Sequence, residues 1–187
     1  ALERLARVDT LVLDQTGTLT AGRPELLALR PAGGVTEDEL LRTAASLEQG
    51  SEHPLAGALL AAARARGLSL DAVIEAHAEA GRGLHGQLRD GAGPGGRDVV
   101  LGTAELCTAH GAAVPPAAEP ELAGWQDAGR TVVHVARGGM WLGALAVADP
   151  IRETTAPALR ELEAEGLRLL VASGDSPQVA LGVARTL

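Results

Sequence analysis

Residues 8–14 (V-D-T-L-V-L-D) form a short apolar run rich in Val and Leu that breaks directly into Gln15-Thr16-Gly17. Such a run reads as a buried strand ending on a loop. The pattern returns at 167–172 (L-R-L-L-V-A), behind a helix predicted over 154–165 and ahead of Ser173-Gly174-Asp175. Helix, strand and loop in that order make a unit of an α/β sheet, so the two runs are expected as parallel strands of one sheet. Ligands of such sheets gather at the C-terminal ends of the strands, which places Asp14 and Ser173 where they can share one ligand.

The residues between follow a different grammar. Thr36-Glu37-Asp38-Glu39 is a capping box opening a helix to about residue 47, and a second helix is predicted over 54–66. Strands are predicted at 25–30, 84–89, 97–101, 131–136 and 140–147, with a turn at Gly138-Gly139, and helices at 103–110 and 119–128. The expected organisation is an α/β domain in two segments, 1–22 and 143–187, with an α+β domain on an antiparallel sheet inserted at 23–142. The glycine-rich stretch 91–96 reads as a plain loop. Ser176-Pro177 is an N-cap followed by Pro at the first helical position, opening a helix with no stop signal before residue 187. Residues 1–7 have helical character without a start signal. Both ends therefore read as cut, with frayed termini as the plainer alternative.

Composition removes several function classes. With 187 residues the chain can bury one good core or two small ones, and 46% hydrophobic against 21% charged residues is the balance of a folded domain. A net charge of -8 argues against a nucleic-acid surface, which needs clustered cations. The single cysteine, Cys107, cannot form an internal disulfide, and no signal-peptide pattern is present, so a reducing cytoplasm is expected. No apolar run reaches 18 residues, so no segment is expected to span a bilayer.

Asp14-Gln15-Thr16-Gly17-Thr18-Leu19-Thr20 carries the chemistry. A carboxylate at a parallel strand's end can attack phosphorus if Mg²⁺ neutralises the phosphate oxygens and backbone N–H groups cradle them. Taken alone, a D-x-T-G stretch is more often a turn cap. Likewise His53 before Pro54 is by itself a helix-start residue, and Gly81-Arg82-Gly83-Leu84-His85-Gly86 fits a dinucleotide fingerprint by letters only, without the strand and helix that motif needs.

In combination these stretches resemble the heavy-metal-transporting P-type ATPases of the haloacid-dehalogenase superfamily. D-Q-T-G-T-L-T matches their D-K-T-G-T-L-T phosphorylation motif at six of seven positions. S-E-H-P-L-A at 51–56 resembles their nucleotide-domain motif, and Asp149-Pro150-Ile151-Arg152 and Ser173-Gly174-Asp175 resemble their D-x-x-R and T-G-D. The resemblance covers essentially the whole chain. It implies a Rossmann-like parallel sheet bearing an inserted nucleotide-binding domain, with Asp14 as aspartyl-phosphate acceptor. It also implies Mg²⁺ on Asp14 and the Thr16 carbonyl, a phosphoryl-binding hydroxyl at Ser173, and Asp175 beside it. ATP is expected on Glu48, His53, Gly81, Gly83 and Gly102, weakly and without need of Mg²⁺. The glycines at 81 and 83 are expected to let the backbone approach the nucleotide. The implied setting is the cytoplasmic part of an integral protein of the bacterial inner membrane, whose membrane helices and transported metal, copper-type leaning, lie outside this chain.

Three departures qualify the match. The family Lys after the acceptor is Gln15, and a unit charge about 4 Å from a phosphate charge is worth at most about 4 kcal/mol at an effective dielectric near 20. Losing a large part of it slows phosphoryl transfer by roughly 10² or more. The family Gly-Asn after the strand at 97–101 is Gly102-Thr103, which puts one nucleotide contact in question. The downstream Lys and G-D-G-x-N-D of the family are not in the sequence, so the fragment alone is expected not to turn over ATP, and Gln15→Lys alone is not expected to rescue it. Thr16 stands where superfamily phosphatases carry a second Asp as general acid/base, which disfavours the phosphatase alternative. A nucleotide-binding module without catalysis is the third reading, kept open by Gln15.

Overall fold

The computed structural model describes residues 8–89, 96–174 and 176–187. Along the chain these form β1 (Thr10–Asp14), β2 (Glu25–Pro31), α1 (Glu37–Leu47), α2 (Pro54–Ala65), β3 (Ala72–Glu79), β4 (Gly83–Arg89), β5 (Arg97–Gly102) and α3 (Ala104–Ala109). There follow α4 (Glu119–Asp127), β6 (Thr131–Arg137), β7 (Met140–Ala148), α5 (Thr155–Ala164), β8 (Arg168–Ala172) and α6 (Pro177–Ala184).

Two sheets result. β1 and β8 pair in parallel, Thr10 opposite Arg168 through Asp14 opposite Ala172, as the two apolar runs predict. Neither strand is buried as expected: Val12 is 63% exposed and Leu170 and Val171 40%, because the described sheet has only these two strands to cover each other. The other six strands form an antiparallel sheet in the order β2-β7-β6-β5-β4-β3. This is the mixed α/β architecture expected from the sequence. β7 continues to Ala148 and pairs with β2 along that length, so the six-stranded sheet extends past residue 142.

β3 was not anticipated. Its sequence A-V-I-E-A-H-A-E lacks an apolar stripe, because it is an edge strand whose residues are mostly exposed. Pairing with β4, from Ala72 opposite Arg89 to Glu79 opposite Gly83, holds it in place. The glycine-rich stretch 91–96 and the N-terminal seven residues lie almost wholly outside the described residues.

α1 and α2 cover one face of the large sheet. Leu40, Leu41, Leu47, Leu59, Val99, Leu101, Val135, Leu145 and Val147 are all but inaccessible there, and each such side chain contributes roughly 1.5–3 kcal/mol on burial. α3 and α4 cover the opposite face through Leu106, Cys107, Leu122, Val100 and Trp141. The predicted caps form: Thr36 Oγ1 accepts from Glu39 N at 3.1 Å, and Ser176 Oγ accepts from Val179 N at 3.4 Å. Only half of the capping box is used, because the Glu39 carboxylate turns to Arg137 Nη2 at 2.5 Å.

The small and large sheets join at two crossing segments, where Thr20 and Ile151 form an antiparallel bridge and Ala21 N donates to Pro150 O at 2.8 Å. A second contact brings α6 onto the end of α4. A Cβ on Gly182 would stand 2.3 Å from Gly129 N, so both positions need a bare backbone.

Candidate functional site

Asp14 ends β1, exposed, and the register opposite Ala172 makes Ser173 the next residue on the neighbouring strand. The parallel pairing thus carries both loops out of one edge of the sheet, which is the placement that phosphate sharing requires. Beyond Asp14 the backbone leaves the strand: Thr16 is extended (φ -75°, ψ 122°) and Gly17 takes φ 77°. The positive φ at Gly17 reverses the chain, a conformation that costs a side-chain-bearing residue roughly 1–2 kcal/mol. Gln15 is 4% exposed, so the position that departs from the resembling family faces inward.

Four residues outside β1 hold this turn. Thr20, almost fully buried, accepts from Gly17 N at 3.1 Å and donates to Asp149 Oδ2 at 2.5 Å. Asp149 also accepts from Gly22 N at 2.9 Å and Arg23 N at 2.8 Å. Arg152 donates from Nε to Thr20 O at 2.8 Å and from Nη2 to Gly17 O at 3.1 Å, while Thr155 Oγ1 donates to Leu19 O at 2.7 Å. The D-x-x-R segment therefore braces the turn that follows Asp14. The joint roles of Thr20 and Thr155 were not legible beforehand, since each is a common residue whose partner lies more than 100 positions away.

A cavity of about 1360 Å³ opens between the two sheets. Thr16 lines it, as do Glu48, His53, Gly81, Gly83 and Gly102, so six of the nine sequence-predicted site residues meet there. Gln15, Asp149 and Gly174 line it too, whereas Asp14 and Ser173 stand at its small-sheet edge rather than in its wall. Asp175 lies outside the described residues.

Glu48 follows α1 and is 5% exposed. Its Oε2 is buried without a hydrogen-bond partner, and burial raises its pKa, partly opposed by a hydrogen bond with Ser51 and the charge of His53. A buried carboxylate oxygen beside a cavity is an acceptor awaiting a donor. His53 caps α2, its Nδ1 accepting from Leu55 N at 3.3 Å. In the neutral ring that leaves the Nε2 hydrogen as the donor.

The glycines also have structural duties of their own. A Cβ on Gly83 would stand 2.1 Å from Leu101 O, and one on Gly102 would stand 2.1 Å from Arg82 O. The two residues face each other across β4 and β5, at φ 138° and 156°. Their bare backbones are needed for the strand pairing, and both residues also line the cavity. Gly81 has φ 72° with open space at its Cβ position, so it serves the β3–β4 turn. That strand-turn-strand setting also removes the dinucleotide fingerprint reading. Thr103, in place of the family Asn, caps α3 by accepting from Leu106 N at 3.2 Å, and it lines the cavity.

Comparison with known proteins agrees with this arrangement. The haloacid dehalogenase-like hydrolase family model matches residues 8–187. A copper-transporting P-type ATPase of Rhizobium leguminosarum bv. viciae is 42% identical over 188 residues, covering 100% of this chain and 21% of that protein. A silver exporting P-type ATPase of Salmonella typhimurium is 38% identical over 190 residues, covering 100% of this chain and 22% of its own length. The crystal structure of a zinc-transporting PIB-type ATPase in the E2.Pi state superposes with a TM-score of 0.71 at 36% identity, covering 100% of this chain and 29% of that one. The chain thus spans about a fifth of the length of the curated relatives it matches. With Asp14 at the end of a parallel strand pair and its relatives among heavy-metal P-type ATPases, the chain belongs to the haloacid dehalogenase-like hydrolase family.

Proposed function

We propose that this chain is the ATP-binding and phosphorylation region of a heavy-metal-translocating P-type ATPase of the copper type. In this reading Asp14 accepts the γ-phosphoryl group and the six-stranded sheet is the nucleotide-binding domain. The observation that carries the reading is the cavity: it runs from the turn after Asp14 to Glu48 and His53. One ligand can therefore touch both the acceptor side and the nucleotide side.

The residues present fit ATP. The unpartnered Glu48 Oε2 matches an exocyclic amine donor of a base, and the His53 Nε2 hydrogen is free of its capping duty. They also fit Mg²⁺, because the Asp14 carboxylate and Thr16 carbonyl are hard oxygen donors. When bound there, Mg²⁺ supplies charge neutralisation of the transferring phosphate. The chain's own contribution is positional: Arg152 and Thr20 hold the turn, Asp14 presents its carboxylate at the strand end, and the Ser173 hydroxyl stands on the adjacent loop. The membrane helices, the transported ion and a location on the cytoplasmic side of a bacterial inner membrane belong to the same proposal.

ATP titration followed by chemical-shift mapping tests the nucleotide half, with shifts expected at Glu48, His53 and Gly81, with or without Mg²⁺. Unchanged affinity in His53→Ala counts against it. For the acceptor half, residues 8–187 carrying Gln15→Lys replace the matching region of the Rhizobium relative, and acid-stable label is measured from ATP. Label that persists in Asp14→Asn overturns the assignment. The second reading, a nucleotide-binding module without phosphoryl transfer, rests on the buried Gln15 and is favoured if ATP binds but no label forms.

A further inference from the structure

On the large sheet, β3 and β4 place His77 directly opposite His85, and His110 follows α3 close by. The imidazole rings of His85 and His110 lie 4.9 Å apart between centroids, and those of His77 and His85 lie 5.3 Å apart. Glu79, at the end of β3, reaches the same spot. Its Oε1 is 3.6 Å from His85 Nε2 and 3.9 Å from His110 Nε2, and one ligand atom from each of the three residues falls within 4.8 Å of the others.

We propose that Glu79, His85 and His110 form a binding site for a borderline divalent transition ion such as Zn²⁺, separate from the site of phosphoryl transfer. Two imidazole nitrogens and one carboxylate oxygen are a ligand set for Zn²⁺ with a fourth position open to water. Tetrahedral coordination at bonds of about 2.0–2.1 Å brings ligand atoms to about 3.3 Å from one another, a contraction of a few tenths of an ångström for the two pairs measured. All three side chains are about one-third exposed, which lets an ion enter and the ligands adjust. The set contains nitrogen and oxygen only, which favours divalent ions of borderline softness over Cu(I), the ion of thiolate and thioether sites.

The second oxygen of Glu79 is already engaged. Arg82 Nη1 donates to Glu79 Oε2 at 2.7 Å, which leaves Oε1 for the metal and orients the carboxylate as supporting groups do in metal sites. Glu79 and Arg82 line the large cavity, whereas His85 and His110 line a smaller one of about 310 Å³. An ion there would pin the turn of residues 80–82 between the two cavities, at the edge strand that has least packing of its own.

Calorimetric titration of ZnCl₂ into the nucleotide-free protein is the test. One equivalent is expected to bind, with His85→Gln and His110→Gln each weakening it by more than the roughly 10-fold that loss of a merely supporting group costs. His77→Gln, outside the ligand set, is expected to leave affinity within about twofold, well below that supporting-group loss. The unmodified protein loaded with Co²⁺ should show the intense visible bands of a four-coordinate ion, a readout that does not depend on how the variants fold. Absence of saturable 1:1 binding, the weak spectrum of six-coordinate Co²⁺, unchanged affinity in both His85→Gln and His110→Gln, or an equal loss in His77→Gln would each overturn the assignment.

Discussion

The Arg152 guanidinium reaches the Gly17 carbonyl at 3.1 Å, tying the turn after Asp14 to a segment 135 positions downstream. The same side chain donates to Thr20 O, and Asp149, three residues earlier, takes Thr20 Oγ1 and the Gly22 and Arg23 amides. Hydrogen bonds to charged groups contribute about 1.5–3 kcal/mol when sheltered and less when wet. Asp149→Ala, which removes the shared acceptor of Thr20 Oγ1, Gly22 N and Arg23 N and leaves the buried Thr20 hydroxyl to donate only to Gln15 O at 3.2 Å, is expected to destabilise the fold by about 2–4 kcal/mol, and Arg152→Ala by about 1–3 kcal/mol. Urea unfolding followed by circular dichroism measures both, and a loss under about 0.5 kcal/mol in Asp149→Ala, the range of an ordinary surface substitution, would contradict the bracing role.

Gly81, Gly83 and Gly102, all at the cavity, should separate sharply on substitution. Gly83→Ala and Gly102→Ala each drive a methyl into backbone at 2.1 Å, where no side chain can yield. Losses above about 3 kcal/mol or failure to fold are expected for both. Gly81→Ala meets open space and suffers only from its positive φ, so a loss of about 1 kcal/mol is expected. Thermal melting of the three variants side by side checks the order.

Burial of Glu48 carries a pH signature. Its folded pKa is raised above the ordinary 4.5, chiefly by desolvation, so the folded protein holds that proton more tightly than the unfolded chain. Stability is therefore favoured at low pH by this group. It declines as pH climbs from 4.5 to the raised folded value, and is then level. Glu48→Gln removes this titrating group. The variant should be more stable than the parent at pH 7, with the difference vanishing below pH 4.5, while its affinity for ATP falls because the unpartnered carboxylate oxygen is gone. Denaturant titrations across pH, paired with nucleotide titration, test the two effects independently.

Cys107 is inaccessible, and burial pushes its thiol up to about 11. At pH 8 the thiolate fraction is therefore very small, and the native protein should resist an aromatic disulfide reagent while the urea-unfolded chain reacts fully. Fast labelling of the native state would show that α3 opens away from the sheet.

Much of the design was legible from local patterns. The two apolar runs ending in Asp14 and Ala172, the Thr36 and Ser176 caps, and the strands at 131–136 and 140–147 all depend on interactions within a few residues, and sequence registers those directly. Strand end, turn and carboxylate are contiguous in D-Q-T-G-T-L-T, but it was the resemblance to the P-type ATPase motif that pointed to phosphoryl chemistry. What the sequence determined by itself was thus the identity and order of the elements, and the residue types gathered at their ends.

Tertiary structure decided the rest. β3 exists because β4 supplies its hydrogen bonds, since its own pattern buries almost nothing. Gly83 and Gly102 are required by each other, a constraint that appears only once β4 and β5 are in register. Glu39 abandons its local cap for Arg137, 98 positions away, and Glu79, His85 and His110 converge from a strand end, a strand centre and a helix end. Each of these is a pairwise condition between distant residues, and a single sequence carries no record of distance until folding closes the intervening loops.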